Sequence, residues 1–356
     1  MSRVERIRET LKNDNIDALI VLDELNQQYL SGFAFTDGLL LITKTRAFLI
    51  TDFRYYEMAE NEAFSEFKVI MPEKRIEEIT AILKEEDCKR VGFEGNTVSF
   101  ATYLKYKEDY PFCELVNIGG IIEEQREIKD AEEISYMQKA QDITDYAFTE
   151  LMKRIRTDMT EVEVAAELEY LMRRNGATGL AFDTIAVSGD ASALPHGTPR
   201  NTKLREGFLT MDFGAKYKGY CSDMTRTIVI GKATDEIKNL YNTVLRAQCA
   251  ALDYIKAGVN CADCDKVARD IIDAEEKYRG AFGHSLGHGV GLFIHERPGL
   301  SKAYVKRNLR VGEIVTVEPG IYLYGKYGCR IEDMVAVQEN GIYNFTHSTK
   351  ELIEIM

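Results

Sequence analysis

The stretch LTMDFGAKYKGYCSDMTRTIVIG, residues 209–231, sets apolar runs on either side of a polar, glycine-containing turn and reads as a β-hairpin. With Tyr217-Lys218 as the turn, Asp212 comes to stand opposite Asp223. Like charges facing each other across a ladder are destabilising, so a chain that keeps them calls for a cation between them. A second segment, IVTVEPGIYLYGKYGCRIEDMVAV at 314–337, repeats the arrangement, because a turn centred on Gly325 sets Glu318 opposite Glu332. One such pair reads equally well as two solvated surface acids. Two pairs in separate hairpins point to a fold that gathers carboxylates around cations.

Three of the five histidines fall in GHSLGHGVGLFIHERP, residues 283–298, with glycine at 283, 287, 289 and 291. An interior glycine costs a helix about 1 kcal/mol relative to alanine, so the segment reads as extended or bent chain whose backbone comes close to something. The expectation is that one histidine ligates metal, others handle substrate, and the glycines let peptide approach the ions. Four carboxylates and one imidazole do not suit a structural zinc, which takes four tetrahedral nitrogen or sulfur ligands. They suit two harder divalent ions, such as manganese or cobalt, sharing bridging carboxylates. Two ions about 3.5–4 Å apart activate water and polarise a carbonyl, so the implied class is metal-assisted hydrolysis. The His295-Glu296 pair is not a zincin motif, because Gly299 stands where the second histidine is required.

A chain of 356 residues fits two domains. Residues 1–122 alternate helical and strand-like segments, with strands expected at 17–22, 38–52, 67–71, 90–95 and 113–118, as in a small α/β domain. Past the charged stretch IIEEQREIKDAEE, residues 123–356 read as strands bracketed by long helices, an α+β arrangement. Net charge is −13 with a pI near 5.1, which argues against nucleic acid or an anionic membrane as the main partner. The N-terminal segment has no secretory h-region and no apolar run is long enough to span a bilayer, so the protein is expected in the cytoplasm. Seven scattered cysteines fit reduced thiols, and the Cys261/Cys264 pair, lacking a second CxxC, reads as structural.

These residues resemble the Xaa-Pro peptidases, aminopeptidase P and prolidase, of the pita-bread metallopeptidase superfamily. The likeness rests on FDTIAVSGDASALPHGTP (182–199), MDFGAKYKGYCSDMTRT (211–227), GHSLGHGVGLFIHE (283–296), VTVEPGIY (315–322) and RIED (330–333). TDFRYYEMA at 51–59 resembles the creatinase-like N-terminal domain, which methionine aminopeptidases lack. The resemblance implies a creatinase-like α/β domain followed by a pita-bread catalytic domain, with peptides carrying proline at the second position as substrates. It implies that Asp212 binds the first of two divalent ions, Mn2+ before Co2+ or Zn2+, that Asp223 and Glu332 bridge both, and that His288 and Glu318 complete the second. Glu318 would also shuttle the proton of a bridging hydroxide, His295 would stabilise the oxyanion and His196 would face substrate, while His284 and Arg330 orient the ligands. A homodimer is expected by the same analogy. Some archaeal prolidases resemble HE-x-P-R where this chain has HERPG, so strict dipeptide action would need Arg297 or a residue of the N-terminal domain in that arginine's place, and both Xaa-Pro aminopeptidase and Xaa-Pro dipeptidase action stay open. The alternatives are a creatinase-type C–N hydrolase, which does not need these metals, and a non-catalytic peptide-binding module whose relatives have typically lost ligands.

Overall fold

Short apolar strands separated by polar helices build the first of two units. Its strands are β1 (Ala18–Val21), β2 (Gly38–Thr43), β3 (Ala47–Thr51), β4 (Phe67–Ile70), β5 (Arg90–Phe93) and β6 (Glu114–Asn117). They form one mixed sheet in the order β4-β3-β2-β1-β5-β6. β1 and β3 are buried along their whole length, as strands covered on both faces are. Each segment expected to be a strand contains one. The computed structural model describes every residue, Met1–Met356, and its two units are Met1–Arg126 and Glu127–Met356.

Four long helices frame the second unit: Ala131–Met152, Glu161–Arg174, Asp235–Tyr254 and Cys261–Ala274. Capping boxes start the first two, Asp130 with Glu133 and Thr160 with Glu163, satisfying backbone N–H groups that a helix leaves unpaired. Apolar stripes from this pair pack against one group of strands and those of the later pair against another, giving two cores. The strands are β7 (Gly179–Leu180), β8 (Ile185–Ser188), β9 (Gly207–Phe213), β10 (Ala215–Tyr217), β11 (Tyr220–Cys221), β12 (Met224–Ile230), β13 (Gly287–Gly289), β14 (Glu296–Leu300), β15 (Ile314–Val317), β16 (Gly320–Leu323), β17 (Tyr327–Arg330), β18 (Asp333–Gln338), β19 (Gly341–Asn344) and β20 (Glu354–Ile355). One sheet runs β20-β12-β9-β8 and another β14-β13-β15-β18-β19, with β16-β17 and β11-β10-β7 as smaller ladders.

The second hairpin keeps its predicted register on both sides of a break. Val317 pairs with Asp333 and Gly320 with Arg330, so Glu318 and Glu332 stand in the gap between two ladders. The first hairpin departs from prediction by one residue on each strand. Its turn is Lys218-Gly219, both with positive φ (53° and 87°), and Tyr217 pairs with Tyr220. Two successive residues in that region match the twist of a two-residue hairpin, and the resulting register sets Asp212 opposite Thr225, not Asp223. Asp223 lies in the bend between β11 and β12.

The glycines of 283–298 also act differently from expectation. A Cβ on Gly287 would lie 2.0 Å from the Thr316 carbonyl oxygen, and one on Gly289 2.4 Å from that of Arg297. These two glycines let β13 press against its neighbour strands rather than admitting peptide to ions.

Candidate metal centre

The nine side chains singled out from the sequence all line one cavity of about 580 Å³: Asp212, Asp223, His288, Glu318, Glu332, His196, His284, His295 and Arg330. Interrupted strands deliver the acids. Asp212 sits near the end of β9, Asp223 in the bend before β12, Glu318 just past β15 and Glu332 just before β18, while His288 is the middle residue of β13. Side chains at a break escape the strict alternation of a strand, which lets neighbouring strands aim several acids at one point.

Donor atoms of Asp223, His288 and Glu332 lie within 4.8 Å of one another. His288 Nε2 is 3.5 Å from Asp223 Oδ2 and 3.6 Å from Glu318 Oε1. Burial, then the neighbouring carboxylates, hold Asp223 and Glu332 well above the usual carboxylate range. Burial pushes Glu318 up to about 8 against the opposing pull of Arg330. His288 and His284 are pushed down to about 4, chiefly by burial, so both rings are neutral at pH 7 and their contacts with the acids are not ion pairs. Asp212 Oδ2 accepts from Arg330 Nη2 at 2.6 Å, whereas its buried Oδ1 has no hydrogen-bond partner. Crowded carboxylate oxygens, one of them unpartnered, beside a neutral imidazole nitrogen form a donor set suited to divalent cations. The side chains present therefore fit such ions.

Several groups that the sequence did not single out hold this set in place. Thr225 Oγ1 donates to Glu332 Oε2 at 2.7 Å and accepts from Arg330 Nε at 3.0 Å. The Tyr322 hydroxyl accepts from Arg330 Nη1 and lies within hydrogen-bond distance of His284 Nε2, both at 2.8 Å. Thr316 Oγ1 accepts the backbone N–H of His288 at 3.1 Å. His288 Nδ1 faces the Gly289 carbonyl at 3.0 Å, which leaves Nε2 as the lone-pair nitrogen toward the acids. From behind, the buried Arg226 donates to the Glu332 carbonyl and to Asp333 Oδ1. The His295 ring lies 4.4 Å from that of His288, centroid to centroid. Phe182, Ile185, Pro195 and Ile294 give the cavity an apolar wall.

Cys261 and Cys264 lie outside this site, in the core at the start of the Cys261–Ala274 helix. Burial pushes their thiols up to about 11 and about 12, away from the reactive thiolate. All seven cysteines are free thiols, as the sequence implied. His347 is also remote, its N–H bonded to Asp145 Oδ2. No helix is long and apolar enough to cross a membrane.

Residues 135–339 match the model of metallopeptidase family M24, and residues 3–128 match the creatinase/prolidase N-terminal domain. Among solved structures, an Xaa-Pro dipeptidase from Bacillus anthracis superposes with a TM-score of 0.94 at 42% identity, over 99% of each chain. An X-Pro aminopeptidase from Thermotoga maritima superposes at 0.92 with 37% identity, over 100% of both chains. The Xaa-Pro dipeptidase of Pyrococcus furiosus is 39% identical over 353 residues, 99% of either chain.

Proposed function

The chain belongs to metallopeptidase family M24, and from that footing we propose that it hydrolyses the Xaa-Pro bond at the amino end of peptides with the help of two divalent cations, manganese foremost, cobalt or zinc in its place. The observation that carries this reading is the convergence of four carboxylates and one neutral imidazole in a single cavity with no fixed cation balancing all of them. Asp212 would hold the first ion, Asp223 and Glu332 would bridge the two, and His288 with Glu318 would complete the second. When bound, such ions supply Lewis-acid polarisation of the scissile carbonyl and activation of water.

The protein's own groups do the rest. Glu318, whose carboxylate the bound cations would keep ionised, would take a proton from the attacking water and pass it to the leaving imide nitrogen. His295 would donate toward the carbonyl oxygen as negative charge develops there, an interaction that strengthens in the transition state. His196, on the loop after β8, would face the substrate, while Arg330 and His284 steady Asp212 and Tyr322. Phe182, Ile185 and Ile294 offer an apolar surface to a proline ring. A peptide bond before proline lacks an N–H, so recognition here does not rely on that donor.

On this reading substrates longer than a dipeptide are favoured. Its one lining guanidinium, Arg330, is already bonded to Asp212, Tyr322 and Thr225. Arg297, the other arginine near the motif, pairs with Glu127 and does not line the cavity. Neither is ready to clamp the free carboxylate of a dipeptide. A creatinase-type reaction and a non-catalytic binding role are both disfavoured by the complete ligand set. A cytoplasmic homodimer completes the reading.

The test is hydrolysis of Ala-Pro beside Ala-Pro-Ala, with manganese and with a chelated control. Metal-dependent turnover mainly of the tripeptide is expected. Turnover of Ala-Pro alone would overturn the length preference, and no metal-dependent cleavage of either would overturn the Xaa-Pro reading.

A further inference from the structure

No hydrogen bond holds the His295 ring, which stands T-shaped to the rings of His288 and Phe293 at centroid distances of 4.4 and 6.2 Å. A group that must meet a carbonyl oxygen needs its position fixed to about an ångström, since a displacement of that size costs on the order of 10²-fold in rate. For His295 that placement has to come from its main chain.

The next residue supplies it. Glu296 Oε1 accepts the N–H of Phe293 at 3.1 Å, closing the bend that carries His295. Glu296 Oε2 pairs with Lys129 Nζ at 3.0 Å, with the two side chains 8% and 1% exposed. A Cβ on Gly291 would lie 2.4 Å from the same oxygen, so the carboxylate fills the space that this glycine leaves open. The far side of the bend is pinned by Cys221, whose N–H bonds to the Gly291 carbonyl at 2.8 Å. Lys129 is itself anchored. Its N–H bonds to the Gly312 carbonyl at 2.9 Å, and Asp130 caps the Ala131–Met152 helix immediately after it.

Burying an ion pair is a poor way to gain stability, because a well-packed apolar pair of similar volume often serves as well or better. The geometry points to another use. We propose that Lys129 and Glu296 are a positioning pair that fixes the 291–296 bend and thereby sets His295 over the scissile carbonyl; this rests on the role given to His295 above. Lys129 touches neither substrate nor ion in this scheme and acts only through Glu296.

The test is a double-mutant cycle read in two ways. In the manganese-loaded enzyme, Lys129→Met is expected to lower kcat on Ala-Pro-Ala by roughly 10- to 100-fold with KM changed far less. In a His295→Ala background the same substitution is expected to cost nothing further, and Lys129→Arg is expected to recover part of the loss. If Lys129→Met does not fold, Glu296→Gln, which keeps an oxygen for the Phe293 N–H, takes its place in the cycle. An equal loss in both backgrounds overturns the proposal, as does an unchanged kcat. Full activity of His295→Ala alone removes the histidine's role and the pair's with it, whereas loss in that variant with additive loss from Lys129→Met sinks only the pair. The second reading needs no turnover. With 15N-histidine labelling of the metal-free protein, Lys129→Met is expected to move the His295 ring signals and leave those of His347 in place. Unmoved His295 signals overturn the pair's hold on the ring even in a protein that cleaves no Xaa-Pro peptide.

Discussion

Glu318 stands where a ligand and a proton carrier are both needed, just past β15 and facing His288. Its carboxyl faces His288 at 3.6 Å and receives a weak contact from Thr316 Oγ1 at 3.4 Å, while its backbone N–H is tied to the Leu286 carbonyl. Both contacts fall on Oε1, while Oε2 lies 4.0 Å from His284 Nδ1. Glu318→Gln keeps the volume and the backbone bond and removes the proton acceptor. Turnover of Ala-Pro-Ala is expected to fall by at least about 10²-fold, the low end for general acid–base catalysis, with the circular dichroism spectrum unchanged. Wild-type turnover in that variant would remove Glu318 from the mechanism. At this scale the acids and histidines were readable because few structural reasons explain clustered acids on apolar strands. Thr225, Thr316 and Tyr322 were not, since threonine and tyrosine are ordinary strand residues and only their contacts with Glu332, His288 and Arg330 mark them out.

The elements differ in how far their residues announce them. β15–β18 was readable to the exact partner because YGKYG leaves one plausible centre for the turn and long apolar strands on either side. The 209–231 hairpin slipped because KYKG offers two turns, and the one that forms puts Lys218 at a φ of 53°. β13 and β14 were missed as strands: three residues rich in glycine and five containing a proline carry almost no alternation signal. The Lys218 turn yields a prediction at this scale. Asparagine tolerates that backbone region far better and is the preferred first residue before glycine in such a turn. Lys218→Asn is expected to stabilise the protein by about 1 kcal/mol in urea unfolding and to leave peptide hydrolysis unaltered. A loss of stability would mean that Lys218 contributes contacts worth more than its backbone strain.

Across the whole molecule, the second unit is built so that two helix–sheet cores converge on a region that is not apolar. The packed residues of those cores end at strand breaks carrying Asp223, Glu318 and Glu332, and the fold holds these acids together at the expense of its own stability when no cation is present. The unfolded chain has no such assembled site, so a cation binds the folded state selectively and stabilises it by mass action, by about 2.7 kcal/mol at a hundredfold excess over Kd. For a unit of this size that is roughly 5–10 °C in melting midpoint, at about 2–4 °C per kcal/mol. Calorimetry with manganese and with a chelator is expected to show a gap of that order. Asp223→Asn with Glu332→Gln relieves the repulsion while removing two donors, so the double variant is expected to melt above the chelated wild type and to lose its response to manganese. A wild type whose midpoint ignores manganese at saturating concentration would mean that the cavity's acids are balanced within the protein. A double variant that still responds would place the ion on other residues.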